Sequence, residues 1–90
     1  MRDQAQWMNK ASIPVLELLN EAGIAIPGQT IALNLDRMLS HAPSRATVYR
    51  TLDPLEAHGL IEHVTGDTKH YIITEKGEQF LAGDLRASEL

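Results

Sequence analysis

The chain of 90 residues contains no cysteine. Disulfides and thiolate-held metals are therefore excluded, and a reducing, cytoplasmic setting is the default expectation. Long apolar runs are also missing. The opening "MRDQAQWMNK" lacks the apolar segment of an export signal, and no stretch approaches the length needed to cross a bilayer. Internal repeats, low-complexity tracts and linker-like segments are absent, so one domain over residues 1–90 is expected. There is no Gly-rich phosphate loop, no nucleophile with a nearby base and no carboxylate pair set for acid–base work, so an enzyme is not expected. The four histidines, His41, His58, His63 and His70, form no HxH, no HExxH and no i, i+4 pair. Neither a metal nor another cofactor is expected.

What is present is a globular composition, 43% apolar and 22% charged. The net charge of −4 argues against a nucleic-acid protein until it is divided along the chain. Residues 1–36 carry two cations against four acids, and residues 51–90 carry three against eight. Between them, residues 37–50 hold Arg37, Arg45 and Arg50 and no acid. Positive charge gathered in one short window is the footprint of a nucleic-acid contact. Three solvated arginines on an ordinary surface would look the same by charge alone.

Periodicity supplies the elements. Val15, Leu18, Leu19 and Ala22 recur at helical spacing, with Ser12 as a candidate cap, Pro14 in the first turn and Gly23 as the stop. A short helix around Trp7 and Met8 is expected before it. "IAI" (24–26) reads as a short apolar link or an isolated strand. Pro27 opens a second helix, whose stripe Ile31, Leu35, Met38 and Ala42 predicts an end near His41. Pro43 forbids continuation, and Ser44 caps a third helix over 44–58 with Val48, Leu52 and Leu55 facing inward. Pro54 within it predicts a kink or a split, because it removes a donor and crowds the Arg50 carbonyl. "LIEHVT", a tight "GDT" turn and "KHYIIT" predict a hairpin over 60–74. Thr74 then caps a fourth helix anchored by Phe80 and Leu81. Helix, strand, helix, tight turn, helix, hairpin, helix is the order of a winged helix-turn-helix, mainly α with a small β-hairpin.

In that arrangement the start of the third helix meets base edges in the major groove. Its outer face offers Ala46, Tyr49 and Arg50, with Thr47 to one side and Arg45 in the first turn. Arginine matches guanine, and Ala46 and Thr47 suit the thymine methyl. Ser44, Thr47 and Tyr49 hydroxyls suit phosphate, as does Arg37 on the flank. Thr68, Lys69 and His70 at the hairpin tip form a weaker contact, opposed by Asp67. Trp7, Met8, Leu85 and Leu90 fall outside the helical stripes, and an apolar patch of that kind predicts a homodimer contact, the alternative being a monomer whose Trp7 folds back over its own fourth helix.

Several stretches are familiar. "WMNKASIPVLELLNEAGIAIPGQTIALNL" and "HGLIEHV…YIITEKGEQFLAGDL" resemble the small winged-helix proteins similar to the phi-H phage repressor of haloarchaea. The resemblance covers nearly the whole chain and implies a cytoplasmic, archaeal, repressor-like regulator that binds double-stranded DNA. "TVYRTL" is similar to the recognition helix of the ferric-uptake-regulator family, whose metal-binding dimerisation domain has no counterpart here. The reading that results is a dimeric, sequence-specific transcription regulator. The alternative is a winged-helix module that binds protein through Trp7 and the C-terminal leucines.

Overall fold

Among the described residues, four helices and three short strands follow one another in the winged-helix order. They are α1 (Ser12–Ala22), β1 (Ile26–Pro27), α2 (Gly28–Met38), α3 (Arg45–Ala57), β2 (Ile61–Val64), β3 (His70–Ile73) and α4 (Glu75–Ala82), with a last 3-10 turn at Ala87–Glu89. The computed structural model describes residues 4–90; residues 1–3 of the expected 1–90 domain lie outside the described residues.

Helix α1 differs from its predicted stripe. The buried set is Ser12, Ile13, Val15, Leu16 and Leu19, while Ala22 is exposed. Ser12, Val15, Leu16 and Leu19 are themselves at i, i+3, i+4 and i+7, so a serine occupies one corner of the apolar face. Ser12 is therefore not the N-cap. Ala11 holds that position without a side-chain bond, and the Asn9 Oδ1 accepts the Ala11 amide at 2.8 Å. The short helix expected at Trp7 and Met8 is only a turn, in which the Met8 amide donates to the Ala5 carbonyl at 3.1 Å.

The strand expected at 24–26 is shifted and is not isolated. Ile24 is exposed, and β1 pairs antiparallel with β3, placing Ile26 opposite Tyr71. The hairpin thus becomes a three-stranded sheet in the order β1-β3-β2. Helix α2 stops at Met38, short of His41, because Leu39 is already extended (φ −110°, ψ 135°). The chain needs residues 39–44 to turn into α3, so the last turn of the predicted stripe is never wound. Met38 is accordingly 59% exposed rather than core.

Helix α3 runs unbroken through Pro54; the split does not occur. A helix-interior proline costs about 3 kcal/mol. Burial of Leu52 on one side of it and Leu55 on the other contributes about 1.5–3 kcal/mol each, enough to hold the helix together. The Arg50 carbonyl that loses its donor belongs to an exposed residue, where water can serve it. The Pro54 carbonyl receives two bonds at the helix end, from the His58 amide at 3.1 Å and the His58 Nδ1 at 2.8 Å. A carbonyl only accepts, so the His58 proton sits on Nδ1.

The hairpin tip is not a tight turn. Val64 pairs with His70, leaving five exposed residues, Thr65–Lys69, between the strands. Gly66 does not take a positive φ, which a two-residue primed turn would require. Below the hairpin, the Thr74 hydroxyl accepts the Gly77 amide at 3.1 Å and donates to the Gly59 carbonyl at 2.6 Å. That cap starts α4, and Gly83 at φ 88° ends it.

Candidate nucleic-acid interface

The α2–α3 turn is pinned by Pro43, which is buried, and Ser44 then caps α3 as its sequence position predicts. The Ser44 Oγ accepts the Thr47 amide at 3.1 Å and lies 2.8 Å from the Thr47 hydroxyl. Arg50 Nη2 donates to the same Thr47 hydroxyl at 3.4 Å. Ser44, Thr47 and Arg50 thus form one polar string over the first two turns. Arg45 and Ala46 are exposed beside it, although the helical projection places Arg45 nearer the core side. The amides at the head of α3 have no partner within the helix and leave a positive end facing outward.

Tyr49 is only partly available. Its ring lies against the start of α2, where a Cβ on Gly28 would come within 3.0 Å of the Tyr49 Cε1. Glycine lets that close approach happen. Arg37 is exposed in the last turn of α2. A shallow cavity of about 280 Å³ between the two helices is lined by Leu33, Asp36, Ala42, Pro43, Ser44 and Arg45. Asp36 therefore stands in the same groove as Arg45, just outside the acid-free window read along the chain. The local field is less positive than that window implies. Dividing the sequence between residues 36 and 37 is what hid the carboxylate.

Thr68 and Lys69 are exposed at the hairpin tip, and the His70 Nδ1 donates to the Thr68 carbonyl at 2.9 Å. No described hydrogen bond links these three to Ser44, Thr47 or Arg50. The root of the hairpin is held more firmly. The Glu56 Oε2 on α3 pairs with the His63 Nδ1 on β2 and accepts the His63 amide at 3.2 Å. Burial, and then the negative charges of Asp53 and Glu56, raise the Tyr71 phenol above its ordinary value.

Trp7, Met8, Leu85 and Leu90 are not left uncovered. All four are half-buried against the chain's own core. Trp7 stacks on His58 with ring centroids 4.0 Å apart and planes 8° from parallel. An open groove of about 530 Å³ remains between the N-terminal segment and the tail, bordered by Trp7, His58, Arg86 and Leu90. Sequence reasoning missed three residues near the interface. Asn9 Nδ2 donates to the Thr47 carbonyl at 3.3 Å, and buried Ser12 and Thr51 bond to each other at 2.7 Å. Among the described residues, no group of three His, Asp or Glu side chains is placed to hold a metal, and no helix is long and apolar enough to cross a membrane.

Residues 15–83 match the family described as "Transcriptional regulator PadR-like family". Among solved structures, the PhiH1 repressor-like protein from Haloarcula marismortui superposes with a TM-score of 0.76 at 30% identity, over 97% of this chain and 91% of that one. The chain is also similar to hsRosR-S4, solved as a complex, with a TM-score of 0.73 at 25% identity over 88% of this chain and 69% of that one. No curated protein matches the chain significantly.

Proposed function

The chain belongs to the PadR-like family of transcriptional regulators, and from that membership we propose how this DNA-binding regulator works. It acts as a cytoplasmic, repressor-like homodimer in which residues 1–90 form one winged helix-turn-helix domain. The first two turns of α3 enter the major groove, with Arg45 and Arg50 on base edges and Ala46 and Thr47 against thymine methyls. Ser44, Tyr49 and Arg37 meet phosphates, and Thr68, Lys69 and His70 touch the backbone beyond. It performs no catalysis and carries no cofactor. The observation that carries this reading is the Ser44–Thr47–Arg50 string at the outward start of a capped helix, with Arg45 exposed beside it.

Dimerisation rests on the groove between the termini. The half-buried Trp7 and Leu90 border it, and Met8 and Leu85, their chain neighbours or near neighbours, are half-buried too, so a second copy seated there would bury apolar surface that each chain leaves open. A two-fold pair would present two α3 helices to half-sites about 34–36 Å apart, or a multiple of that spacing.

Selection of bound duplexes from a random pool tests the whole reading. A pseudo-palindromic motif should emerge, bound far more tightly than scrambled duplex. A pool that never enriches, with equal affinity for all duplexes, would leave the protein-binding module as the better account. Sedimentation tests the dimer separately: a monomer at micromolar concentration, unchanged by Trp7→Ala, removes it.

A further inference from the structure

We infer that Asn9, Ser12 and Thr51 are positioning residues for operator recognition: a closed polar ring that sets the rotation of α3 about its own axis. The inference rests on the reading that α3 enters the major groove, and it names what aims the helix there.

Three of the ring's bonds have a definite direction, and in the fourth either hydroxyl, Ser12 or Thr51, can be the donor. The Ser12 Oγ accepts the Asn9 amide at 2.9 Å and shares a hydrogen bond with the Thr51 Oγ1 at 2.7 Å. Thr51 stands one helical turn after Thr47, and the Thr47 carbonyl accepts from Asn9 Nδ2 at 3.3 Å. The Asn9 Oδ1, on the other side of the same amide, accepts from the Ala11 amide at 2.8 Å. Every polar atom of the Asn9 side chain is thereby occupied, and its orientation is fixed by what it faces: a donor on one side, an acceptor on the other. Asn9 and Ser12 grip one turn of α3, and that turn carries both Thr47 and Arg50.

The Glu56–His63 pair ties only the far end of α3 to the hairpin. The other contacts that the gripped turn makes with the core are apolar, through Val48 and Leu52, with Leu55 one turn on. Such contacts are non-directional, and an apolar face can roll over its neighbours without losing much buried area. Hydrogen bonds cannot follow such a roll, because they weaken steeply with angle. Ser12 and Thr51 are 0% and 2% exposed, on helix faces otherwise buried through apolar side chains. Their chemistry is not needed for burial. It is suited to specifying one arrangement among several of similar energy. A small rotation of α3 would swing the long Arg50 side chain off a base edge while leaving phosphate contacts nearly intact.

Thr51→Val is the clean test. Valine matches threonine in shape, and Ser12 keeps the Asn9 amide as donor and the Asn9 Oδ1, 3.4 Å away, as acceptor. No buried group is orphaned. Thr51→Ser is the complementary variant, keeping the hydroxyl and losing the methyl. Thermal unfolding is measured together with affinity for pool-selected and scrambled duplex at one salt concentration. Thr51→Val should unfold no earlier than Thr51→Ser, yet lose about tenfold in the ratio of selected to scrambled affinity. Thr51→Ser should keep the wild-type ratio. A structural role alone would make the ratio follow stability, the reverse order. If Thr51→Val does not fold, Ser12→Ala removes the bond from the other side, together with the acceptor of the Asn9 amide, and its duplex ratio is read in its place. Full discrimination retained in that variant overturns the positioning role, and so does an equal loss in Thr51→Ser. Failure of the groove reading looks different: the wild-type chain itself would show no preference between the two duplexes, and both inferences would fall together.

Discussion

The first two turns of α3 and the tip of the hairpin both turn hydroxyls and cations to solvent, yet they are held in opposite ways. At the start of α3, Ser44 ties down Thr47, Thr47 receives Arg50, and Val48, Thr51 and Leu52 root the same turns in the core. At the hairpin tip, five exposed residues bridge Val64 and His70, and the bond there is local, from His70 to Thr68. Reading bases needs donors placed to fractions of an ångström, whereas a phosphate accepts a cation from many directions. The rigid element is suited to sequence, and the loose one to the sequence-independent backbone.

The largest effect should come from breaking the rigid side. Arg50→Ala and Arg45→Ala should each weaken binding to selected DNA by about 1–3 kcal/mol while changing scrambled-duplex binding much less. Titration of both duplexes against each variant measures this. Two fully folded variants with undiminished affinity would place the base contacts elsewhere.

Next is the cap that starts the string. Ser44→Ala leaves the Thr47 amide without its acceptor and the Thr47 hydroxyl without its Ser44 partner, and should cost about 1 kcal/mol of folding stability. Urea unfolding reads the loss. An unchanged midpoint would mean that the turn at Pro43, not the cap, fixes the start of α3.

The loose side should respond through salt alone. The protein is acidic overall and Asp36 shares the Arg45 groove, so few phosphates are neutralised and log affinity should fall only gently with log salt. Lys69→Ala should reduce that slope by about 0.9, the value of one phosphate contact. Selected and scrambled duplexes should weaken equally. A loss confined to the selected duplex would make the hairpin tip a base reader and collapse the distinction between the two regions.

The firmness of one region was legible in the sequence where its causes are local. Ser44 and Thr74 announce their caps because each bonds an amide three residues ahead, and Gly23 and Gly83 mark helix ends by their left-handed backbone. The rest depends on distant partners. Ser12 looks like a cap because serine usually is one at that place; its actual partner, Thr51, is 39 residues away. Tyr49 looks free until Gly28 of another helix brings it to rest, and Trp7 looks unburied until it meets His58. Met38 continues a good apolar stripe, but the chain must leave the helix there to reach Pro43. The tight turn at the hairpin tip fails for the opposite reason. Gly66 and Asp67 permit it, and nothing packed around them enforces it.

The smallest effect concerns the hairpin root, where loose meets rigid. Tyr71 on β3 is buried between β1 and β2, and Asp53 and Glu56 of α3 add their charge against its ionisation. Its folded-state value is therefore raised. The unfolded phenol ionises first, near pH 10, while the folded one still holds its proton. Below that range both states are protonated and the stabilisation is complete; as pH rises through the folded value it is lost. Stability should thus decline above about pH 10 more steeply in the wild type than in Tyr71→Phe, which has no phenol to ionise. Every other ionisable side chain is common to the two proteins, so the difference isolates Tyr71. Urea midpoints at about pH 8 and about pH 11 for the two proteins measure it. Equal declines would mean that Tyr71 is open to water when folded. The hairpin would then be loose to its root, and the charge on α3 would have no hold on it.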